Sequence, residues 1–174
     1  MKIDKTTANK FISVYQAFLL DLFLLYEKDD PEITVVERMV IARSRFSSNP
    51  SLFKSFIKNN QEIEVPAEIC SAIQGIEFGR WVYLKDTKSY SVMLKDDGSI
   101  GYGVLGLTDR IRDIVGKPAI AIETGIMKIN GRFVCDGLII ALAGIGPNYK
   151  REFNQLYKEL KEKNNFKIKD SATA

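Results

Sequence analysis

Ser89 to Leu107, SYSVMLKDDGSIGYGVLGL, is the stretch that decides the fold. Asp97-Gly98 stands between two runs of alternating residues, and such a pair is a strong local signal for a tight hairpin because both residue types accept positive φ. A turn there sets Leu94 opposite Gly101, Val92 opposite Gly103 and Tyr90 opposite Leu105 on one side. Met93 then faces Tyr102, and Ser91 faces Val104, on the other. Both faces are at least partly apolar, so the hairpin is expected to be covered on both sides rather than to lie open to water.

Downstream, the same grammar recurs. Asn130-Gly131 joins GIMKI to RFVCDGLII as a second predicted hairpin. Between the hairpins, LTDRIRDIVG reads as a short helix with Thr108 as cap, Leu107, Ile111 and Ile114 inward, and Gly116 as its stop. The apolar run Leu138 to Leu142 leads through GIGPNYKR (144–151) into a last helix striped by Phe153, Leu156, Tyr157 and Leu160. After Phe166 the tail is expected to fray.

Upstream, the period is near 3.6 instead of 2. FISVYQAFLLDLFLLY (11–26) is apolar nearly all round, and its 16 residues with Gln16 and Asp21 inside fall short of the about 20 that a membrane span needs. Asp30-Pro31-Glu32 reads as the start of a second helix, Asn49-Pro50 of a third and Pro66 of a fourth that Gly75 ends. The fold class expected is therefore α+β: N-terminal helices (about 6–74) packed on a strongly bent antiparallel sheet of hairpins (about 76–142), closed by a C-terminal helix (about 147–163). Residues 1–168 are expected to make a single globular domain, with 169–174 a disordered tail.

Composition excludes more than it assigns. The 174 residues contain no histidine, which removes Ser-His-Asp and Cys-His nucleophile pairs, HExxH sites and mixed Cys/His zinc sites. Cys70 and Cys135 form no CxxC and no disulfide framework, and the N-terminus MKIDKTTANK has no secretory pattern. A cytoplasmic protein is expected, with no cofactor. A formal charge of +3 neither demands nor repels a polyanion.

Four groups of residues have the chemistry for a site. Arg80, Trp81, Tyr83, Lys85 and Lys88 combine aromatics with cations on one strand, as binders of single-stranded nucleic acid do; alternatively Trp81 and Tyr83 fill the core. Glu123 and Asp136 are diagonal neighbours in the predicted register, roughly 7–8 Å apart, and could hold a divalent ion or act as acid and base, or simply be solvated. Lys150 and Arg151 lie in the first turn of the last helix, where an anion could sit, although Pro147 removes one amide and suits an ordinary strand-to-helix corner. Cys135 beside Asp136 reads as a small buried hydrophobe.

Three functions stay open: a non-catalytic interaction or regulatory protein that self-associates, a single-stranded nucleic-acid binder, and a carboxylate- and metal-dependent enzyme. The first is preferred because the first helix carries apolar residues on more than one side. A two-fold dimer is expected, with Phe18 to Tyr26 or the hairpin Ser91 to Val104 at the interface and no membrane involved.

Overall fold

A computed structural model describes residues 1–169. It is an α+β structure in which the chain forms two compact units, Lys5–Gly75 and Met1–Asp4 with Ile76 onward. The division falls where the sequence period changes.

The first unit is helical. Helix α1 spans Lys5–Tyr26, α2 Val35–Ser48, α3 Ser51–Asn59 and α4 Ala67–Gln74. Phe18 on α1 is buried against the rings of Phe46, Phe53 and Phe56, with centroids 4.9, 5.1 and 5.4 Å away. Helix α1 outruns the apolar stretch from which it was read, and it is long and apolar enough to cross a membrane by length and composition. Phe11, Phe18, Leu19, Leu22 and Phe23, however, are all buried.

Helix α2 begins later than the proline predicts. Thr34 is its cap: the Glu37 amide donates to the Thr34 hydroxyl at 3.3 Å, and the Thr34 amide donates back to the Glu37 carboxylate at 2.8 Å. This reciprocal box satisfies two otherwise free amides and outweighs the Pro31 signal. Asp30 caps only the turn before it, accepting from the Glu32 amide at 2.9 Å.

The second unit is built on strands β1 (Glu77–Asp86), β2 (Ser91–Lys95), β3 (Gly101–Leu105), β4 (Ile120–Ile129), β5 (Arg132–Cys135), β6 (Ile140–Gly144) and β7 (Phe166–Lys167), with helices α5 (Ile111–Val115) and α6 (Pro147–Glu162). Strand β1 pairs with β2 on one edge and β4 on the other, so the order β1-β2-β3-β5-β4 closes on itself. Such a five-stranded Greek-key barrel is the architecture of the OB-fold.

Closure explains why the sheet is mixed and not the antiparallel one expected. Strand direction cannot alternate all round a ring with an odd number of members. One neighbouring pair must run parallel, and that pair is β3–β5, with Val104 opposite Phe133. The short β7 also runs parallel to β3.

Within the hairpins the predicted registers hold. Ser91, Val92, Met93 and Leu94 face Val104, Gly103, Tyr102 and Gly101. Asn130 (φ 50°) and Gly131 (φ 66°) make the two-residue turn. The first turn is wider: the Lys95 amide donates to Ile100 O, leaving Asp96 to Ser99 as the loop, and Asp97 accepts from the Ser99 amide at 2.8 Å. In α5, Arg110 and not Thr108 holds the cap position, and Ile114 faces solvent while Ile111 is buried. A helix of barely more than one turn can bury only one side.

Alternation sorts the side chains into two layers. Trp81, Tyr83, Met93, Tyr102, Val104, Ile122, Ile126, Phe133 and Cys135 fill the barrel interior, together with Ile111. Val82, Leu84, Val92 and Leu94 point outward and are covered by Tyr157 and Leu160 of α6. The glycines of β3 are demanded by this cover. A Cβ on Gly103 would lie 2.8 Å from the Tyr90 ring, and one on Gly101 would lie 2.7 Å from the Phe166 ring. The tail past Phe166 also differs from expectation, since Lys167 pairs with Tyr102 and Lys169 bridges Arg132. The rest of the predicted disordered tail, 170–174, lies outside the described residues.

Candidate functional site

Most of the chemistry of the barrel gathers at one end. Strand β1 starts there with Glu77, whose carboxylate takes the Lys95 ammonium at 2.7 Å and the Tyr102 hydroxyl at 3.0 Å. Beneath them the rings of Trp81 and Tyr102 lie 5.5 Å apart, and Tyr102 stacks on Phe133 at 4.3 Å. Lys95 stands 5.7 Å over the Trp81 ring and Lys128 6.0 Å over Phe133, so a cation closes each end of the aromatic row. Burial and the Glu77 bond raise the Tyr102 phenol above its ordinary range, while the Glu77 bond keeps Lys95 protonated. The ensemble binds the strands together electrostatically.

The residues singled out in the sequence are dispersed. Trp81 is 0% exposed, with its indole N–H donated to Thr124 O at 3.3 Å, and Tyr83 is equally buried. Their period-2 phase in β1 points both rings into the barrel, so no base can stack on them in the folded state. Arg80, facing the other way, is exposed opposite Glu123. Lys85 donates to Asn154 of α6 at 3.0 Å and stands over Tyr157, and Lys88 is exposed on the β1–β2 turn.

Glu123 and Asp136 both stand at the end of the β4–β5 ladder. Strand β5 ends at Cys135, the Asp136 amide still donates to Gly125 O at 2.9 Å, and Gly137 at φ 86° then turns the chain, while Glu123 pairs with Ile140 of β6. Asp136 is buried and accepts from the Thr124 hydroxyl at 2.9 Å and the Leu138 amide at 3.0 Å, which fixes the corner between the strands. Among the described residues, no three His, Cys, Asp or Glu side chains are grouped so as to hold a metal. Lys150 and Arg151 are exposed in the first turn of α6, and Arg151 donates to Asn148 at 2.7 Å.

Burial pushes the Cys135 thiol up to about 12, with the Asp136 charge adding to the effect. An unfolded chain would release that proton near the thiol's ordinary 9.0, so the folded state binds it more tightly. The stabilisation is complete below pH 9 and is lost as pH rises toward the folded value. The unfolding free energy from urea titration should therefore fall from pH 9 upward, by up to about 1.4 kcal/mol per pH unit for this group. The fall should steepen above pH 10, where the raised phenols of Tyr83 and Tyr102 join in. A Cys135→Ala variant should show a flatter slope between pH 9 and 10, and an unchanged slope would contradict the assignment.

Apolar surface is the other notable feature. At the end of α1, Leu24, Leu25 and Tyr26 are 58, 68 and 51% exposed. Just past them, Glu27 and the α2 residues Ile41, Ser44, Arg45 and Ser48 line an open cleft of about 500 Å³. Arg45 pairs with Glu27 at 2.8 Å and lies 4.3 Å over the Tyr26 ring. Sequence reading missed the α2 side of this cleft. Its signal was Ile41, Ser44, Arg45 and Ser48 at helical spacing, which puts them on one stripe. Strand β6, also apolar and exposed, ends the sheet path, but its register against β4 shifts between Ala121 and Ile122, so Leu142 bulges out of the ladder. Such a bulge blunts a free edge.

Comparison with protein-family models, curated proteins and solved structures returns no match.

Proposed function

We propose that the protein is a non-catalytic interaction protein that works as an assembly of its own copies. The observation that carries this reading is the run Leu24-Leu25-Tyr26, three large apolar side chains each more than half exposed at the end of a helix whose other face is buried. Soluble chains usually keep contiguous apolar patches of this kind for a partner. The hairpin Ser91 to Val104, the other interface expected from sequence, has its outer face under α6 and is not available. Hydrogen exchange at two protein concentrations tests the reading. Amides around residues 20–27 and 41–48 should become more protected as concentration rises, and concentration-independent exchange would count against it.

A second reading, single-stranded nucleic-acid binding, is favoured by one observation. The barrel carries Lys88 on its β1–β2 turn and Lys128 and Arg132 beside its β4–β5 turn, the two loops by which OB-folds hold oligonucleotides. Here α6 covers the outer surface of β1 and β2, so a strand would be held by loop cations alone. Binding of a labelled oligothymidine should then be weak and steeply salt-dependent, and it should be lost in a Lys88→Glu/Arg132→Glu variant. Affinity indifferent to salt and to those charges would end this reading.

A further inference from the structure

We propose that Arg132, with Lys167 and Lys169 beside it, forms a binding site for a phosphate group at the β4–β5 end of the barrel. Topology brings the three together from distant parts of the sequence. Arg132 is the first residue of β5, directly after the Asn130-Gly131 turn, and Lys169 bridges to it. Lys167, two residues earlier, pairs with Tyr102 of β3, the strand whose Val104 lies opposite Phe133. Strand pairing therefore fixes the backbone beneath all three cations, which holds a site more precisely than a loop does.

The guanidinium is the decisive group. Its Nε is buried and makes no hydrogen bond, and among the described residues none of the three cations has an acid partner. A buried donor left unpaired costs free energy unless something outside the chain satisfies it. The acids at this end of the barrel are engaged elsewhere: Glu77 with Lys95 and Tyr102, and Asp97 with Ser99, while Asp96 acts on Lys95. Lys128, one step along the β4–β5 ladder and over the Phe133 ring, adds further positive charge. Charge then selects the class of ligand. A carboxylate brings a single negative charge, whereas a phosphate brings about −1.5 to −2 and three acceptor oxygens, enough for the planar fork of Arg132 and both ammonium groups. Free phosphate and the backbone of a nucleic-acid strand offer this same chemistry, and neither requires the chain to self-associate.

Titration calorimetry of the full chain at low salt, with inorganic phosphate and then with oligothymidine, tests the site. Inorganic phosphate should bind at up to millimolar concentration and raise the thermal midpoint. Arg132→Gln should weaken that binding about tenfold or more, and Arg132→Lys nearly as much, because the charge stays but the fork is lost. Lys167→Gln and Lys169→Gln, both at exposed positions, should each weaken it several-fold. Without phosphate none of these variants should melt below the parent, since no bond within the chain is removed. Oligothymidine that displaces the phosphate supports the site with a strand as its source. Phosphate binding that oligothymidine leaves untouched supports the site with a small ligand as its source and ends the nucleic-acid reading. Phosphate binding indifferent to the four substitutions would overturn the site. Absence of phosphate binding would overturn it too, and oligothymidine bound by such a protein would leave the nucleic-acid reading standing without it.

Discussion

Replacing Trp81 by alanine is expected to lower the thermal midpoint of the barrel by about 15 °C or more. The side chain is fully buried, its indole N–H is bonded to Thr124 O, and its ring is the first of the aromatic row that continues through Tyr102 to Phe133. Truncating a tryptophan in such a place costs about 3–5 kcal/mol, from lost burial together with the cavity left behind. Each kcal/mol moves the midpoint of a unit of this size by roughly 4–8 °C. Circular dichroism melting of the variant checks the value. Because Trp81 is the only tryptophan in the chain, its emission also reports on the barrel interior of the parent protein, and it should be blue-shifted in the folded state. A variant that melts within a few degrees of the parent would show that the ring is not part of the core.

Phe18→Ala should be comparably damaging to the helical unit. Phe18 is the hub of an aromatic cluster, edge-on to Phe46 and Phe53 and tilted against Phe56. Its removal takes away about 3–5 kcal/mol through burial and cavity, including three ring pairs that are each worth about 0.5–1.5 kcal/mol beyond their area. Leu24→Ala, six residues along the same helix and exposed, should change stability by less than about 0.5 kcal/mol. The contrast separates the two sides of α1. Urea unfolding followed by helical ellipticity measures both, and equal costs would contradict the division of the helix into a buried and an exposed face.

Local chemistry was the part of this fold legible in the sequence. Asn130-Gly131 fixed its turn because positive φ at both positions belongs to few residue types, and Asp97-Gly98 set the register of β2 against β3 even though its loop is two residues wider than expected. The Thr34/Glu37 box was equally local, but it was overlooked in favour of Pro31. What the sequence did not disclose is long-range. The β1–β4 contact that closes the ring pairs Glu77 with Ile126, and the parallel β3–β5 pair joins Val104 to Phe133 across α5 and a hairpin. No short motif encodes either, since ring closure is a property of the whole barrel.

The candidate sites show the same limit. Alternation placed Trp81 and Tyr83 on one side of a strand but not on which side, and a one-residue change of phase exchanges interior for surface. For Glu123 and Asp136 the register of the Asn130-Gly131 hairpin holds through Asp136, whose amide donates to Gly125 O, after which Gly137 ends it. The excess of apolar residues on α1 was visible as composition. The cleft beyond its end needed Glu27 to be brought against Ile41 and Arg45 of α2 by packing.

Sedimentation equilibrium of the unmodified chain, at micromolar to millimolar concentration, bears most directly on self-association. The apolar end of α1 predicts a reversible equilibrium whose limiting species has twice the 19.7 kDa mass of the chain. A single 19.7 kDa species across the whole range would contradict it.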